Sequence, residues 1–233
     1  SRIFTGKNDF VAFYAGGRLA GTGDLYDRDR IRQVQQERVG VTSEAWRFIR
    51  LPYYAALFWP LSRLPYPVAY ALWQGLSLAA VVGFVLLWRG SSTTSAVLFT
   101  CPSLPVATSL MNGQDLALVL LWIALGVRWQ LEGHGFRAGM VLALCAVKFH
   151  LFALLPVLIV GRRLWRLGGG LLAGGAALAA VSFAVAGWAW PLEYYRVLTD
   201  PLIHPGVGAM PNLHGAFAYW PSVATAKGIP AAL

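Results

Sequence analysis

Charged residues and cysteines are scarce in this sequence, and each scarcity excludes a class of protein. Only 12% of the 233 residues are charged and 57% are hydrophobic, with a mean hydropathy of +0.56. A soluble domain of this length would not leave residues 66–88 and 168–190 almost without charge. The two cysteines, Cys101 and Cys145, both lie in apolar runs, which favours buried thiols over a disulfide or a metal site.

Further absences are also informative. No internal repeat is apparent, and no cleavable signal peptide opens the chain. The glycines at 168–170 and 174–175 are not followed by the Lys-Ser/Thr pair of a phosphate-binding loop, so we expect them to allow close helix packing. The chain begins in a polar loop and stops without a closing element, so we expect a transmembrane helix before it and several after it.

The long uncharged runs predict membrane-spanning helices. As helices, residues 66–88 and 168–190 would each be about 34 Å long, and the hydrocarbon core of a bilayer is about 30 Å thick. We therefore predict an all-α, polytopic integral-membrane helical bundle. The net charge of +9 then reflects an excess of Lys and Arg in cytoplasmic loops, and nucleic-acid binding is not expected.

Arginine clusters after residue 88 mark the cytoplasmic loops. They fall between apolar runs, at Arg89, Arg128, Arg137 and residues 162–166. If residues 138–160 formed one continuous helix, the last cluster would lie on the opposite side from Arg89. Short helices with breaks at 112–115 and 148–150 instead place all four clusters on the cytoplasmic side and both breaks on the other side.

This arrangement divides the chain into three parts. Residues 1–65 form an extracytoplasmic loop that ends in an interfacial or re-entrant helix over 46–64. Residues 66–190 form a transmembrane bundle with short helices, and residues 191–233 form a second, truncated extracytoplasmic loop. Polar backbone at the recessed helix breaks is tolerated where it lines a cavity.

Two further elements are expected in the first loop. The mixed-sign stretch 26–38 favours a solvated surface helix or turn. Residues 13–17 are typical of an amphipathic helix, and a glycine-rich turn follows at 21–27.

Lys148 is unusual because it lies inside an apolar run. An ammonium group in a transmembrane segment costs several kcal/mol unless it faces water or an anion, so a functional role is the default interpretation. The alternative is a lysine whose long side chain reaches the membrane interface. His150 could share the role of Lys148 or simply pack.

Polar residues on the side of the helix breaks are the other candidates. Asp9 is a solvated loop residue, a helix N-cap or a catalytic carboxylate. Asn112 and Gln114 could hold sugar hydroxyls, whereas Asp115 suits the N-cap of the next helix. His214, in the last loop, belongs to no metal signature.

Six short motifs occur in order along nearly the whole chain. They are Asn8-Asp9-Phe10 with Tyr14, Gly23-Asp24-Leu25-Tyr26-Asp27, Asn112-Gly113-Gln114, Ala138-Gly139 leading to Lys148, Arg162-Arg163-Leu164-Trp165-Arg166, and Pro211-Asn212-Leu213-His214-Gly215. Together they resemble glycosyltransferase family 87, the bacterial polyprenol-phosphate-mannose-dependent mannosyltransferases with the C-type membrane fold. The segment Pro52-Tyr53-Tyr54 departs from the aromatic-proline pattern usual in that family.

The resemblance implies a fold and a reaction. The chain would be a C-type membrane glycosyltransferase of the bacterial plasma membrane. It would move a hexose, in the first place mannose, from a polyprenyl-phosphate sugar to an extracytoplasmic glycolipid or glycan acceptor. Asp9 matches the catalytic aspartate of the first external loop and would be the general base. No cofactor is implied, and the involvement of a divalent metal ion is left open.

The reaction also needs a cation to stabilise the departing phosphate. From its side of the membrane and its charge we assign this role to Lys148, with Arg50 and His214 as further candidates. Tyr14, in the same motif as Asp9, is expected to contact the substrate.

Two other functions stay open at this point. Broken helices and an intramembrane lysine also mark transporters and flippases, although an inverted repeat, which such proteins commonly carry, is not seen. A non-catalytic assembly subunit would give Asp9 no role. Transfer from a labelled donor by the wild type, and its loss in an Asp9 variant, would separate these functions.

Overall fold

The computed structural model describes residues 8–40, 46–88, 91–152 and 154–200, with side chains for all of these except 149–152. Every regular element in these ranges is helical, which confirms the predicted all-α class. The helices are α1 (Phe10–Leu19), α2 (Arg28–Val39), α3 (Pro52–Ser62), α4 (Tyr66–Leu87), α5 (Thr93–Thr100), α6 (Leu104–Met111), α7 (Leu116–Leu131), α8 (Gly135–Ala143), a 3₁₀ segment (Leu144–Phe152), α9 (Leu155–Gly161), α10 (Trp165–Ala186) and α11 (Trp190–Thr199). Contacts divide the chain into two compact units, Ser1–Pro191 and Leu192–Leu233.

Two of the described helices are long and apolar enough to cross a membrane. They are α4 and α10, with 22 residues each, and the bent pair α5–α6 would add a third span if it is counted as one. The spans predicted at 66–88 and 168–190 correspond to α4 and α10 by length and composition, and α10 ends four residues before the predicted span, at Ala186. Helix α10 begins three residues earlier than predicted, at Trp165, and therefore includes Arg166 of the basic cluster.

Both predicted helix breaks are present. Helix α6 ends at Met111 and α7 begins at Leu116, and Gly113 in the intervening turn has a φ of +65°. The second break is at Lys148, whose φ of −128° and ψ of 69° interrupt the 3₁₀ segment. A third break was not predicted: α5 and α6 meet at 63°. Pro102, in the connection between them, has no amide hydrogen to continue a helix.

Helix α1 lacks the exposed polar face of the amphipathic helix that the sequence predicts. Nine of its ten residues are buried. Gly16 and Gly17 allow this, since a Cβ at Gly17 would lie 2.6 Å from the carbonyl oxygen of Phe58, and one at Gly16 would lie 2.5 Å from the Phe48 ring. Helix α1 therefore lies in a hydrophobic core that the first loop shares with α4, α7, the 3₁₀ segment and α10.

Aromatic rings join α1 to α3 and α4. The Phe58 and Trp73 ring centroids are 4.7 Å apart, and the Phe10 ring stacks on Trp73 at 6.0 Å and meets Tyr70 edge-on at 5.5 Å. Such tilted and offset pairs add to the stabilisation from burial. They fix the N-terminal end of α1, where Asp9 lies, against the first membrane-spanning helix.

Helix α2 is the predicted surface helix. The Asp27 side chain caps it by accepting from the amides of Asp29 and Arg30, at 2.8 and 2.9 Å. Its buried Gln35 side chain bonds both backbone groups of Trp46, which holds α2 against the chain that leads to α3.

Glycines hold α8 and α10 together, as predicted for the residues near 170. A Cβ at Gly170 would lie 2.0 Å from the carbonyl oxygen of Phe136, and one at Gly139 would lie 2.1 Å from that of Leu167.

The expectation for the cysteines is half right: both thiols are free, and Cys145 is buried, but Cys101 is exposed.

Candidate active site

Asp9 lies at the start of α1 and reaches across to the turn between α6 and α7. It occupies the N-cap position, but its side chain makes no capping hydrogen bond. Its amide donates to the carbonyl oxygen of Asn112 at 2.9 Å, and its carboxylate accepts a hydrogen bond from the Gln114 side chain. The half-buried carboxylate is therefore held by a neutral amide about one hundred residues away in the chain.

The turn can approach Asp9 because residue 113 is a glycine. Its positive φ disfavours other residues, and a Cβ there would lie 2.9 Å from Cβ of Phe10 and 3.2 Å from the Tyr70 ring. The Trp73 indole donates to the carbonyl oxygen of Gly113 at 2.9 Å. The start of α1, the 112–115 turn and the first half of α4 thus form one packed unit.

Asp115, the last residue of this turn, forms the centre of an ion-pair cluster. Its carboxylate is 0% exposed, with Arg50 Nε at 2.9 Å from Oδ2 and Lys148 Nζ at 3.2 Å from Oδ1. The Arg50 contact is also a hydrogen bond, whereas the Lys148 contact is an ion pair without hydrogen-bond alignment. Two positive charges and one negative charge leave the cluster with one net positive charge.

Arg50 is held by the chain just before α3. The hydroxyl of Tyr26 donates to the Arg50 carbonyl oxygen at 2.7 Å. The guanidinium carbon lies 5.6 Å from the centroid of the Phe13 ring, within the range of a cation–π interaction. The side chain therefore points from the first loop into the bundle, towards the start of α7.

Tyr53 fastens the start of α3 to the far side of the bundle. Its amide donates to Ser182 Oγ of α10 at 3.1 Å, and its hydroxyl donates to the carbonyl oxygen of Leu144 at 3.0 Å. Burial raises the pKa of the Tyr53 hydroxyl, so the group stays protonated and remains a donor. Leu144 begins the segment that carries Lys148, so Arg50 and Lys148 are supported by the same contacts.

The structure brings five of the polar side chains from the first loop and the helix breaks into two adjacent sets. Asp9 meets Gln114, and Arg50 and Lys148 meet Asp115. Gln114 and Asp115 are consecutive, so the turn carries one partner of each set. Asn112 is exposed and contributes its backbone carbonyl to Asp9.

Other candidates have a different placement. Tyr14 is 3% exposed, and its hydroxyl donates to the carbonyl oxygen of Leu64 at 2.7 Å; burial raises its pKa. The side chain ties α1 to the chain before α4, so a substrate contact, as the sequence predicts, is not supported. The His150 side chain and His214 lie outside the described residues.

Asp115 has contacts that the sequence does not predict, in addition to its predicted N-cap position. It does occupy the N-cap position of α7, but its side chain makes no capping hydrogen bond. The available signal was its charge: a carboxylate that opens an apolar helix and a lysine inside an apolar run each need a countercharge in a low-dielectric setting. The same reasoning does not identify Arg50 as a member of the cluster, because nothing in the sequence places it beside Asp115 or Lys148.

The two carboxylates differ in what they can do. Asp115 is fully buried between two cations, whereas Asp9 is partly exposed and bonded to a neutral amide. Asp9 is therefore the carboxylate that an incoming hydroxyl could meet. No group of three or more His, Cys, Asp or Glu side chains suited to a metal ion occurs in the part of the chain that the structure describes.

A helical membrane protein with a polar cluster gathered at its helix breaks is the class that the fold and site define. The chain belongs to glycosyltransferase family 87, whose family model matches residues 48–231. No match to the chain was found among curated proteins or among solved structures. The matched range includes Arg50, the 112–115 turn and Lys148 but begins after Asp9, so the role of Asp9 depends on its geometry and its motif.

Proposed function

We propose that this glycosyltransferase moves a hexose, in the first place mannose, from a polyprenyl-phosphate sugar to a hydroxyl of an extracytoplasmic glycolipid or glycan. Membership of the family implies a sugar donor and an acceptor; the lipid donor, the sugar and the side of the bacterial plasma membrane are our proposal. The observation that carries it is the 112–115 turn, in which Gln114 contacts the carboxylate suited to a base, Asp9, and Asp115 pairs with two cations.

In the proposed reaction Asp9 removes the proton from the acceptor hydroxyl. The hydroxyl oxygen attacks the anomeric carbon as the bond from that carbon to the phosphate oxygen breaks, and the polyprenyl phosphate leaves with the electron pair. General-base catalysis contributes about 10²- to 10⁴-fold to such steps. Lys148 and Arg50 stabilise the charge that develops on the phosphate. Gln114 orients Asp9, and Asn112 meets sugar hydroxyls from the exposed end of α6.

The proposed side of the membrane rests on the distribution of arginines. Arg128 lies in the last turn of α7 and Arg137 in the first turn of α8. Residues 162–166 lie between α9 and the beginning of α10. The breaks at 112–115 and Lys148 lie at the other ends of these helices. The positive-inside bias then favours an extracytoplasmic site.

The proposal is tested with the full-length protein in membranes and a panel of radiolabelled polyprenyl-phosphate sugars with mannose, glucose or arabinose. We expect transfer from the mannose donor to endogenous acceptor. Transfer from a nucleotide sugar but from no lipid-linked donor would contradict the proposed donor class.

A transporter or flippase is the second candidate, because Lys148 lies at a break in an apolar segment and such sites also bind transported ions and substrates. Movement of a labelled lipid-linked sugar across proteoliposomes, without transfer from any donor in the panel, would favour this function over glycosyl transfer.

A further inference from the structure

Asp115 is the buried charge for which the proposed reaction has no direct use. Its carboxylate has no exposed surface, whereas the side chains of its partners Arg50 and Lys148 are 19% and 22% exposed. A ligand entering the site can therefore meet the cations without meeting Asp115. The carboxylate lies behind the two positive groups, with one cation against each of its oxygens.

We propose that Asp115 is a positioning residue that holds Lys148 and Arg50 as one preset pair for the donor's phosphate. This inference rests on the proposed function of the same site. Arg50 comes from the first loop and Lys148 from the 3₁₀ segment, and the structure joins them through this single carboxylate. Without this carboxylate the two positive groups would repel each other, and the ion pairs that join them would be lost.

The chain around Asp115 is suited to this role rather than to capping. The Asp115 side chain makes no bond to the amides of α7, so its two oxygens are used by the cations. Lys148 has a long flexible side chain on a non-helical backbone. An ammonium with that freedom would turn towards water, and a fixed anion at 3.2 Å opposes this turn.

The position of Asp115 in the turn also relates the cations to the base. Gln114 contacts Asp9, and the next residue contacts Lys148 and Arg50. Because the turn is fixed by Gly113 and Trp73, the distance from Asp9 to the cation pair is set by one short stretch of backbone. Attack and departure occur on opposite faces of one anomeric carbon, so a fixed separation of these groups favours catalysis.

The first test measures the position of Lys148 without measuring transfer. The sequence has three lysines, Lys7, Lys148 and Lys227, so amine labelling at Lys148 is resolved by mass spectrometry of the purified, monodisperse protein. We expect Asp115→Asn to raise the labelling rate at Lys148 by about fivefold or more, because a buried pair that loses one partner rearranges. The matched control is Glu132→Gln, which breaks the Arg128–Glu132 pair, also 2.9 Å long but at the surface. Equal labelling of Lys148 in Asp115→Asn and the wild type would overturn the proposal.

The second test separates positioning from a merely structural role. We expect Asp115→Asn to lower kcat per folded molecule by up to about 100-fold, the cost of misplaced catalytic groups, with a small change in the KM for the lipid-linked donor. Asp115→Glu keeps the charge and should recover part of kcat. If Asp115 acts through Lys148 and Arg50, the double variant Asp115→Asn/Lys148→Met loses less activity than the product of the two single losses.

Two outcomes of the second test would overturn the proposal: unchanged kcat in folded Asp115→Asn, or losses that add fully in the double variant. If Asp115→Asn does not fold, the labelling and kinetics of Asp115→Glu and the kinetics of the double variant decide. Should the wild type transfer no sugar from any donor, the proposed function fails by that result, and the labelling of Lys148 still decides whether Asp115 positions it.

Discussion

Asp9 and Asp115 are both aspartates at the N-cap of a helix, yet their surroundings give them different chemistry. Neither side chain caps its helix. Asp9 accepts from a neutral amide and is partly exposed, whereas Asp115 is enclosed by Arg50 and Lys148. A carboxylate near solvent can accept a proton from a ligand, and a carboxylate paired twice in a buried site cannot readily do so.

Gly113 allows the 112–115 turn to pack against the start of α1, so that the Asp9–Gln114 pair lies next to the ion pairs of Asp115. We expect Gly113→Ala to lower the thermal midpoint in detergent and the rate of transfer, because alanine is strained at a φ of +65° and its Cβ would press on Phe10. The combined cost is about 1 to 3 kcal/mol.

Gly133→Ala is the matched control, because its φ of +82° imposes the same backbone strain with no atom within 4 Å of a Cβ. We expect a smaller fall in thermal midpoint and normal transfer for this variant. Equal effects of the two substitutions on transfer would mean that the contact with Phe10 does not position the turn.

At the scale of elements, close packing of α8 on α10 holds the segment that carries Lys148. We expect Gly170→Ala to lower the thermal midpoint clearly, because its Cβ would lie 2.0 Å from the backbone of Phe136, which cannot move aside without separating the helices. Overpacking of this kind costs about 1 to 3 kcal/mol or more.

Gly175→Ala in the same helix is the control, since nothing lies within 4 Å of its Cβ. Alanine is about 1 kcal/mol more favourable than glycine in a helix interior, so this variant should keep or raise the midpoint. A Gly170→Ala variant as stable as Gly175→Ala would contradict the packing described for α8 and α10.

The sequence predicted elements whose cause is local and missed those whose cause is distant. The spans and the breaks at 112–115 and Lys148 follow from apolar runs and from the polar residues that interrupt them. The burial of α1 does not, because it depends on Phe48 and Phe58 packing against its glycines. The Arg50–Asp115 pair joins residues 65 positions apart, and no local pattern indicates it.

In the whole molecule, the first loop and the helix bundle together form the candidate site; the bundle is more than a membrane anchor for the loop. The described part of the loop supplies Asp9 and Arg50, and the bundle supplies Gln114, Asp115 and Lys148. The family match covers the bundle and the end of the loop. We therefore expect glycosyl transfer at the proposed site to require contact between the two parts.

The measurement that tests this account most directly is transfer of labelled mannose from polyprenyl-phosphate mannose by Asp9→Asn in membranes, beside the wild type. Asp29→Asn, at an exposed aspartate of α2, is the control at equal protein level. We expect Asp9→Asn to transfer sugar about 100-fold or more slowly than the wild type, because a general base contributes at least about that factor to the rate. Asp29→Asn should match the wild type. Transfer by Asp9→Asn at the wild-type rate would contradict the account.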